Sequence, residues 1–248
     1  MDLSFLLFVL VGFLAQLIDG ALGMAYGVSS NAFLLSIGIP PAAASASVHF
    51  AKCVTTAVSG ASHWKLGNVN KNLIKKLMIS GMAGGIVGSY LLTLIDGNII
   101  RPYIAAYLVV MGLIILVKAV GKNHAHKHVT THLIPLGLTG GFFDSIGGGG
   151  WGPIVTTTLM ARGNCPRLAI GSVNLAEFFV AIAQSVTFFL ALGLLNTWKI
   201  ILGLLVGGVI AAPLAALATK KLPIRLLMML VGVLIILLSA WTISLSLR

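Results

Sequence analysis

Long apolar runs separated by short polar connections follow one another along the whole chain. Several of these runs contain about 20 residues, which is enough for a helix to cross a hydrocarbon core of roughly 30 Å. They lack the strict alternation of apolar and polar residues that a membrane β-barrel strand requires. The pattern therefore predicts an all-α polytopic membrane protein with about 8 to 10 membrane segments.

The composition supports a membrane environment. Of the 248 residues, 58% are hydrophobic and 8% are charged, and the mean hydropathy is +1.05. Soluble domains carry roughly a quarter charged residues. The formal net charge of +11 is typical of nucleic-acid binding, but the basic residues lie between the apolar runs, as in cytoplasmic loops. Cys53 and Cys165 form no CxxC pair and imply no disulfide framework.

Two glycine-rich breaks interrupt the apolar pattern, "DGALGMAYG" at 19–27 and "DSIGGGGWGP" at 144–153. Irregular backbone at membrane depth is tolerated where it lines a protein or water-filled cavity. A new helix is predicted to begin near Val28 in the first break and at Pro153 in the second. Because helix N-termini attract anions, the breaks predict an anion site. The alternative is that both are packing turns.

The chain also repeats itself. A shift of 125 residues places Asp19 on Asp144 and Lys52 on Glu177, with further matches between them. This duplication is common among secondary transporters. Repeat 1 is predicted over 1–120, a cytoplasmic linker over 121–131 and repeat 2 over 132–248. The predicted segments are a broken hairpin at 3–38 with helices at about 41–62, 73–94 and 99–119, then a broken hairpin at 132–162 with helices at about 167–191, 198–218 and 224–246.

The distribution of basic residues predicts the topology. If both broken segments fold back, twelve Lys and Arg residues lie on one side and three on the other. If each broken segment crossed the membrane once, nine Lys and Arg residues would lie on one side and six on the other. The positive-inside rule favours fold-back, which gives two inverted repeats and places both termini in the periplasm or outside the cell. Half-helices that cross fully would give ten spans with the same sidedness.

Three of the five acidic residues, Asp19, Asp144 and Glu177, lie within apolar segments. Such a charge costs roughly 2.5–3.5 kcal/mol on insertion scales, so it lines a pathway or has a partner. Lys52 and Glu177 form a structural ion pair in one interpretation. In the other, Lys52 meets the substrate and an acid exchanges protons. Asp19 and Asp144 suit helix capping as well as they suit proton transfer. His49 suits either titration near neutral pH or a neutral hydrogen bond between helices.

The candidate site residues come from both breaks and from the helices that follow them. The predicted substrate-binding residues are Gly23, Tyr26, Gly27, Ser29, Ser30, Asn31, His49, Lys52, Gly148, Gly149, Trp151, Gly152, Thr156, Thr157 and Asn174. The proton-coupling candidates are Asp19, Asp144, Glu177 and His49. The tract "HAHKH" at 124–128 fits a solvated linker better than a metal site. We expect no enzymatic activity, cofactor, metal or nucleic-acid partner.

Four stretches resemble the TauE/SafE sulfite exporter family, also called the toluene-sulfonate uptake permeases. They are "DGALGMAYGVSSNAFLLSIGIPPAAASASVHFAK", "SGASHWKLGNVN", "GGGGWGPIVTTTL" and "GSVNLAEFF". The resemblance implies a proton-linked secondary transporter of sulfur-containing or organic anions such as sulfite, sulfonates or sulfoacetate, in the cell membrane. An anion channel and a non-transporting scaffold or sensor are the alternatives.

Overall fold

The computed structural model describes residues 3–22, 24–120, 131–162, 164–193, 197–218 and 224–246, and every regular element in these ranges is helical. The elements of the first half are α1 (Leu3–Leu22), α2 (Tyr26–Ser36), α3 (Pro41–Lys65), α4 (Lys71–Leu94) and α5 (Gly97–Val120). Those of the second half are α6 (Leu133–Gly147), a π-helical turn (Gly152–Thr156), α7 (Thr157–Ala161), α8 (Pro166–Leu192), α9 (Trp198–Ala218) and α10 (Ile224–Ser246). The all-helical prediction is confirmed.

Four of the described helices are long and apolar enough to cross a membrane. They are Lys71–Leu94, Gly97–Val120, Leu168–Leu192 and Met228–Ser246. The 25-residue α3 is less apolar because its buried face is polar, with Ser45, His49, Lys52 and Thr56 turned inward. Its lipid-compatible residues are on the outside. Polar residues inside a membrane bundle line a pathway or pair with one another, so α3 marks the functional interior.

Glycines bring α1 close to α9 and α4 close to α6. A Cβ on Gly12 would lie 2.3 Å from the carbonyl oxygen of Leu204, and one on Gly84 would lie 2.1 Å from that of Leu138. Only glycine permits backbones to approach this closely. We call these two contacts the glycine seams. Because the repeat alignment matches α1 with α6 and α9 with α4, the seams are equivalent contacts in the two halves.

The matched helices α3 and α8 pack against each other in the centre. Near the end of α3, a Cβ on Gly60 would lie 3.0 Å from Cα of Leu175, near the start of α8. Further along α8, Ser185 Oγ lies 3.3 Å from Cys53 Sγ. A later position on α8 therefore meets an earlier position on α3, so the two helices run antiparallel. The candidate site residues Lys52 and Glu177 meet at this central contact.

Candidate functional site

Asp144, near the end of α6, lies at the centre of a buried polar cluster. Its side chain is fully buried. Oδ1 accepts hydrogen bonds from the backbone N–H groups of Gly150, at 2.8 Å, and Trp151, at 3.0 Å. Oδ2 lies 3.1 Å from Nε2 of both Gln184 and His49. The carboxylate therefore closes the second break by capping the helical segment that begins at Trp151.

His49 on α3 contacts Asp144. Its Nδ1 lies 2.7 Å from the carbonyl oxygen of Ser45, one turn earlier on α3. Because a carbonyl oxygen only accepts hydrogen bonds, Nδ1 carries a proton. Nε2 of the same ring lies 3.1 Å from Oδ2 of Asp144, so the imidazole joins the Asp144 carboxylate to α3.

Lys52 joins the cluster to α8. Its Nζ lies 3.1 Å from Oδ1 of Asp144 and 2.6 Å from Oε1 of Glu177. The lysine is 3% exposed and the glutamate 6%. One buried ammonium therefore serves two carboxylates, each from a different helix of the second half. Removing the charge of one of these side chains leaves an oppositely charged partner buried without its counter-charge, which costs several kcal/mol of stability.

Asp19, near the end of α1, has fewer partners. Its Oδ1 accepts a hydrogen bond from the backbone N–H of Tyr26, at 3.1 Å, and so caps the start of α2. This bond is equivalent to the one between Asp144 and Trp151. The Asp19 side chain is only partly buried. Among the described residues, the salt bridges within 4.0 Å involve Asp144 and Glu177 but not Asp19.

The two breaks touch through their backbones. A Cβ on Gly27 would lie 2.4 Å from the carbonyl oxygen of Gly148 and 2.5 Å from Cα of Gly149. Gly148 has φ +67°, which favours glycine, and Asn31 Nδ2 donates to the carbonyl oxygen of Gly147 at 2.7 Å. The starts of the two new helices thus lie next to each other, although they are over a hundred residues apart in sequence.

A small cavity lies where the two breaks meet. It has about 10 Å³ of space for water centres, which is room for about one water molecule. Its polar lining combines one cation with three acids and the first turns of two helices. The described residues that line it are Asp19, Met24, Ala25, Gly27, Val28, Lys52, Asp144, Gly149, Gly152, Pro153 and Glu177.

The other predicted site residues that the structure describes are not part of the cavity lining. Tyr26 and Trp151 anchor the breaks to other helices, with Tyr26 Oη donating to Leu204 O and Trp151 Nε1 to Val173 O. Asn174 turns toward α3 and donates to Ser59 at 3.1 Å. Ser29 and Thr157 bond to carbonyl groups of their own helices, and Ser30 and Thr156 are buried with hydroxyl groups that have no hydrogen-bond partner. Gly23 lies outside the described residues.

Several residues outside the predicted site also belong to the cluster. Gln184 on α8 has its Nε2 within hydrogen-bonding distance of three acceptors, Asp144 Oδ2, Ser145 Oγ at 2.9 Å and Gly141 O, which share its two protons. Ser145 in turn donates to Gly85 O at 2.8 Å, and Ser45 Oγ donates to Ser145 O. A signal was available for Gln184, which is a polar residue two helical turns after Glu177 in an apolar helix.

The described residues contain no group of three His, Cys, Asp or Glu side chains arranged to hold a metal ion. The tract at 124–128 lies outside the described residues. The described part of the cluster brings together charged side chains and the backbone N–H groups of Gly150 and Trp151. Such a site suits the binding and release of a small charged solute.

Comparison with known proteins decides the family. The sequence profile of the family described as "Sulfite exporter TauE/SafE" matches residues 8–242. The chain belongs to the TauE/SafE sulfite exporter family. The resemblance identified from the two breaks is thereby confirmed over nearly the whole chain.

A relative in this family comes from Bacillus subtilis, where it is described as "Probable membrane transporter protein YtnM". It is 43% identical over 247 residues, which cover 96% of this chain and 82% of the relative. No solved structure matches the chain significantly. The TauE/SafE protein described here is a multi-pass membrane transporter that acts on a small-molecule substrate.

Proposed function

We propose that this TauE/SafE protein is a proton-coupled secondary transporter of small sulfur-containing or organic anions such as sulfite, sulfonates and sulfoacetate. The observation that carries the proposal is the cavity between the two breaks. Lys52 is the one cation among its described lining residues, and the first turns of two helices, at Gly27 and Gly152, face it from different halves of the chain. Helix N-termini and a buried ammonium both favour an anion.

The charges of the cluster support coupling to protons. With its three acids and Lys52 ionised, the cavity lining carries two more negative charges than positive ones. An anion entering this site meets net repulsion at low dielectric. Each proton taken up by Asp19 or Glu177 lowers the negative excess by one charge, and a proton on Glu177 also releases Lys52 to attract the anion. Anion and proton therefore bind together.

The cavity volume indicates which state the structure represents. Space for about one water is less than sulfite or any sulfonate requires. The breaks must separate for substrate to enter, so this conformation is closed around the site. Because Lys52 lies near the middle of α3 and Glu177 near the middle of α8, we place the site close to the membrane midplane.

The packing supports the inverted arrangement of the two repeats. The matched helices α3 and α8 run antiparallel where they touch, as Gly60 with Leu175 and Cys53 with Ser185 indicate. The glycine seams repeat the same helix pairing in each half. With the basic loops inside, both termini lie in the periplasm or outside the cell. A C-terminal reporter that is active only in the cytoplasm is expected to stay silent, and activity there would contradict the topology.

The decisive experiment is transport into proteoliposomes with labelled sulfite, thiosulfate, sulfoacetate and acetate, with and without a pH gradient. We expect a sulfur anion to accumulate when the outer solution is the more acidic, and accumulation to cease when a protonophore removes the gradient. Protein-free liposomes correct for passive flux of the protonated acids. Lys52→Gln tests the cation in the cavity lining. Lys199→Gln, which removes an exposed cation at the start of α9, is its matched control.

The same assay separates the alternatives. An anion channel gives flux that equilibrates without accumulation and responds to voltage but not to the proton gradient. A scaffold or sensor gives no flux with any of the four anions. Either result would contradict proton-coupled transport of these substrates.

A further inference from the structure

Two apolar grooves flank the first half of α4 on the outer surface. One, of about 360 Å³, lies between α3, α4 and α8 and is lined by Trp64, Lys71, Ile74, Lys75, Met78, Leu175 and Phe179. The other, of about 470 Å³, lies between α4 and α6 and is lined by Lys75, Lys76, Ile79, Ser80, Ala83, Ile134 and Leu138. Lys75 belongs to both grooves, so they run on either side of one ridge of α4. We call this surface the α4 ridge.

Lysines lie at one end of the α4 ridge, and apolar side chains together with Ser80 occupy the rest. Lys71, Lys75 and Lys76 fall in the first two turns of α4 and are exposed. From Lys75 to Ala83 the helix rises about 12 Å, so the grooves extend from the lysines well into the hydrocarbon layer. A surface with a charged end and an apolar body has the same polarity as a phospholipid.

The three lysines have no acidic partner among the described residues. Of the acids that the structure describes, Asp19, Asp144 and Glu177 belong to the region of the central cavity, and Asp96 lies beyond the opposite end of α4. Lys71 Nζ lies 5.8 Å from the centre of the Trp64 ring, which positions it at the mouth of one groove. The positive end of the ridge is therefore complemented by a negative charge from outside the chain.

We propose that the α4 ridge binds an anionic phospholipid. Its phosphate lies against Lys71, Lys75 and Lys76, and its acyl chains lie in the two grooves. A zwitterionic lipid fills the same grooves but carries a choline or ethanolamine charge that opposes the lysines. Basic pockets between membrane helices on the cytoplasmic side recognise anionic head groups through this charge difference.

The site is separate from the transport cavity, but it reaches the same helices. Ser80 and Ala83 of α4 lie next to the glycine seam with α6, in which Gly84 touches Leu138. Leu175 and Phe179 of α8 flank Glu177 in sequence. A lipid bound here contacts α4, α6 and α8 from the outside.

The test is mass spectrometry of the intact detergent-purified protein with equal amounts of phosphatidylglycerol and phosphatidylcholine. Wild-type protein is expected to retain phosphatidylglycerol preferentially. At about fivefold for each lysine near an anionic surface, Lys75→Gln lowers that preference about fivefold and Lys75→Gln/Lys76→Gln about 30-fold. Lys65→Gln, which removes an exposed lysine that lines neither groove, should leave it within about twofold.

A second variant tests the acyl chains. Ala83→Trp fills the groove between α4 and α6 and leaves every lysine in place, so it should lower the retention of both lipids. All of the altered side chains are exposed, and folding is checked by thermal unfolding. Equal retention of the two lipids by wild type would overturn the proposal, as would an unchanged preference in the double lysine variant. A second copy of the chain that covers this face and excludes lipid would also overturn it.

Discussion

The two breaks share a sequence plan, but the structure closes them differently. In both, an aspartate caps the helix that follows: Asp19 accepts from Tyr26 N–H and Asp144 from Trp151 N–H. Asp144 is fully buried and also contacts Lys52, His49 and Gln184. Asp19 is partly buried and outside the salt bridges of the described residues.

From this difference we infer that the two breaks have different tasks. Asp144 is surrounded by donors, and its charge holds α3, α6 and α8 together. Asp19 accepts a hydrogen bond from Tyr26 N–H and borders the cavity, and it takes part in none of the salt bridges among the described residues. We infer that the second break is the fixed anchor of the site and that the first break, with Glu177, exchanges protons during transport.

Gly27→Ala is expected to have the largest effect, because it separates the two breaks. The added methyl group would lie 2.4 Å from the carbonyl oxygen of Gly148, so the backbones must move apart. We expect loss of transport and a destabilisation at or above the upper end of the range of about 1–3 kcal/mol that is typical of overpacked cores, because the contact is with backbone that cannot rotate away. Gly97→Ala, whose Cβ would have Pro41 Cδ as its nearest neighbour at 3.2 Å, is the control and should cost much less. Normal transport by Gly27→Ala would favour the packing-turn interpretation.

Exchanging the two aspartates for asparagine compares the breaks directly. Asp144→Asn removes a buried charge beside Lys52 and His49 and should cost about 3–5 kcal/mol. Asp19→Asn keeps an oxygen for Tyr26 N–H and should cost about 1 kcal/mol or less. The apparent melting temperatures of the two purified variants show which substitution destabilises the protein more. In the transport assay Asp19→Asn should reduce the response to acidic pH. Equal stability losses would contradict the division of tasks.

The sequence was sufficient for the helices, the breaks and the family, but not for the central contact. Apolar runs and glycines are local signals, and the repeat alignment paired Lys52 with Glu177, which lie 2.6 Å apart. The contact of Lys52 with Asp144 was not predicted, because the alignment matches Asp144 with Asp19 and shows no distance between unmatched positions. The turning of Asn174 toward Ser59 depends on the rotation of α8 against α3, which the helical period does not fix.

Variants of Lys52 and Glu177 test whether their pair is structural or part of transport. Glu177→Gln should cost about 1–3 kcal/mol, because Lys52 keeps Asp144 as a partner. We expect it to bind the anion with a flattened pH dependence, and Lys52→Met to lose affinity for the anion. The double variant should fold yet remain inactive in the proteoliposome assay. Normal pH-dependent uptake by the double variant would exclude both residues from the mechanism.

The smallest effect is expected from Ala25→Gly in the first break. Ala25 has φ +133°, which alanine adopts only under strain, and the residue is buried against the cavity. Glycine relieves the strain but loses a buried methyl group, and each change is worth about 1 kcal/mol with opposite sign. We expect stability within about 1 kcal/mol of wild type and preserved transport. A loss as large as that of Gly27→Ala would show that the methyl group itself holds the break.

The glycine seams limit how the transporter moves. Side chains between two helices can change rotamer and so allow the helices to slide past each other. At Gly12 and Gly84, however, the facing surfaces are peptide groups with fixed shape. We therefore expect α1 to move together with α9, and α4 together with α6. We expect the site to open where these two helix pairs meet the central helices α3 and α8. Engineered disulfides between the two helices of one pair would then leave the transport rate unchanged. Disulfides that link either pair to α3 or α8 would stop transport.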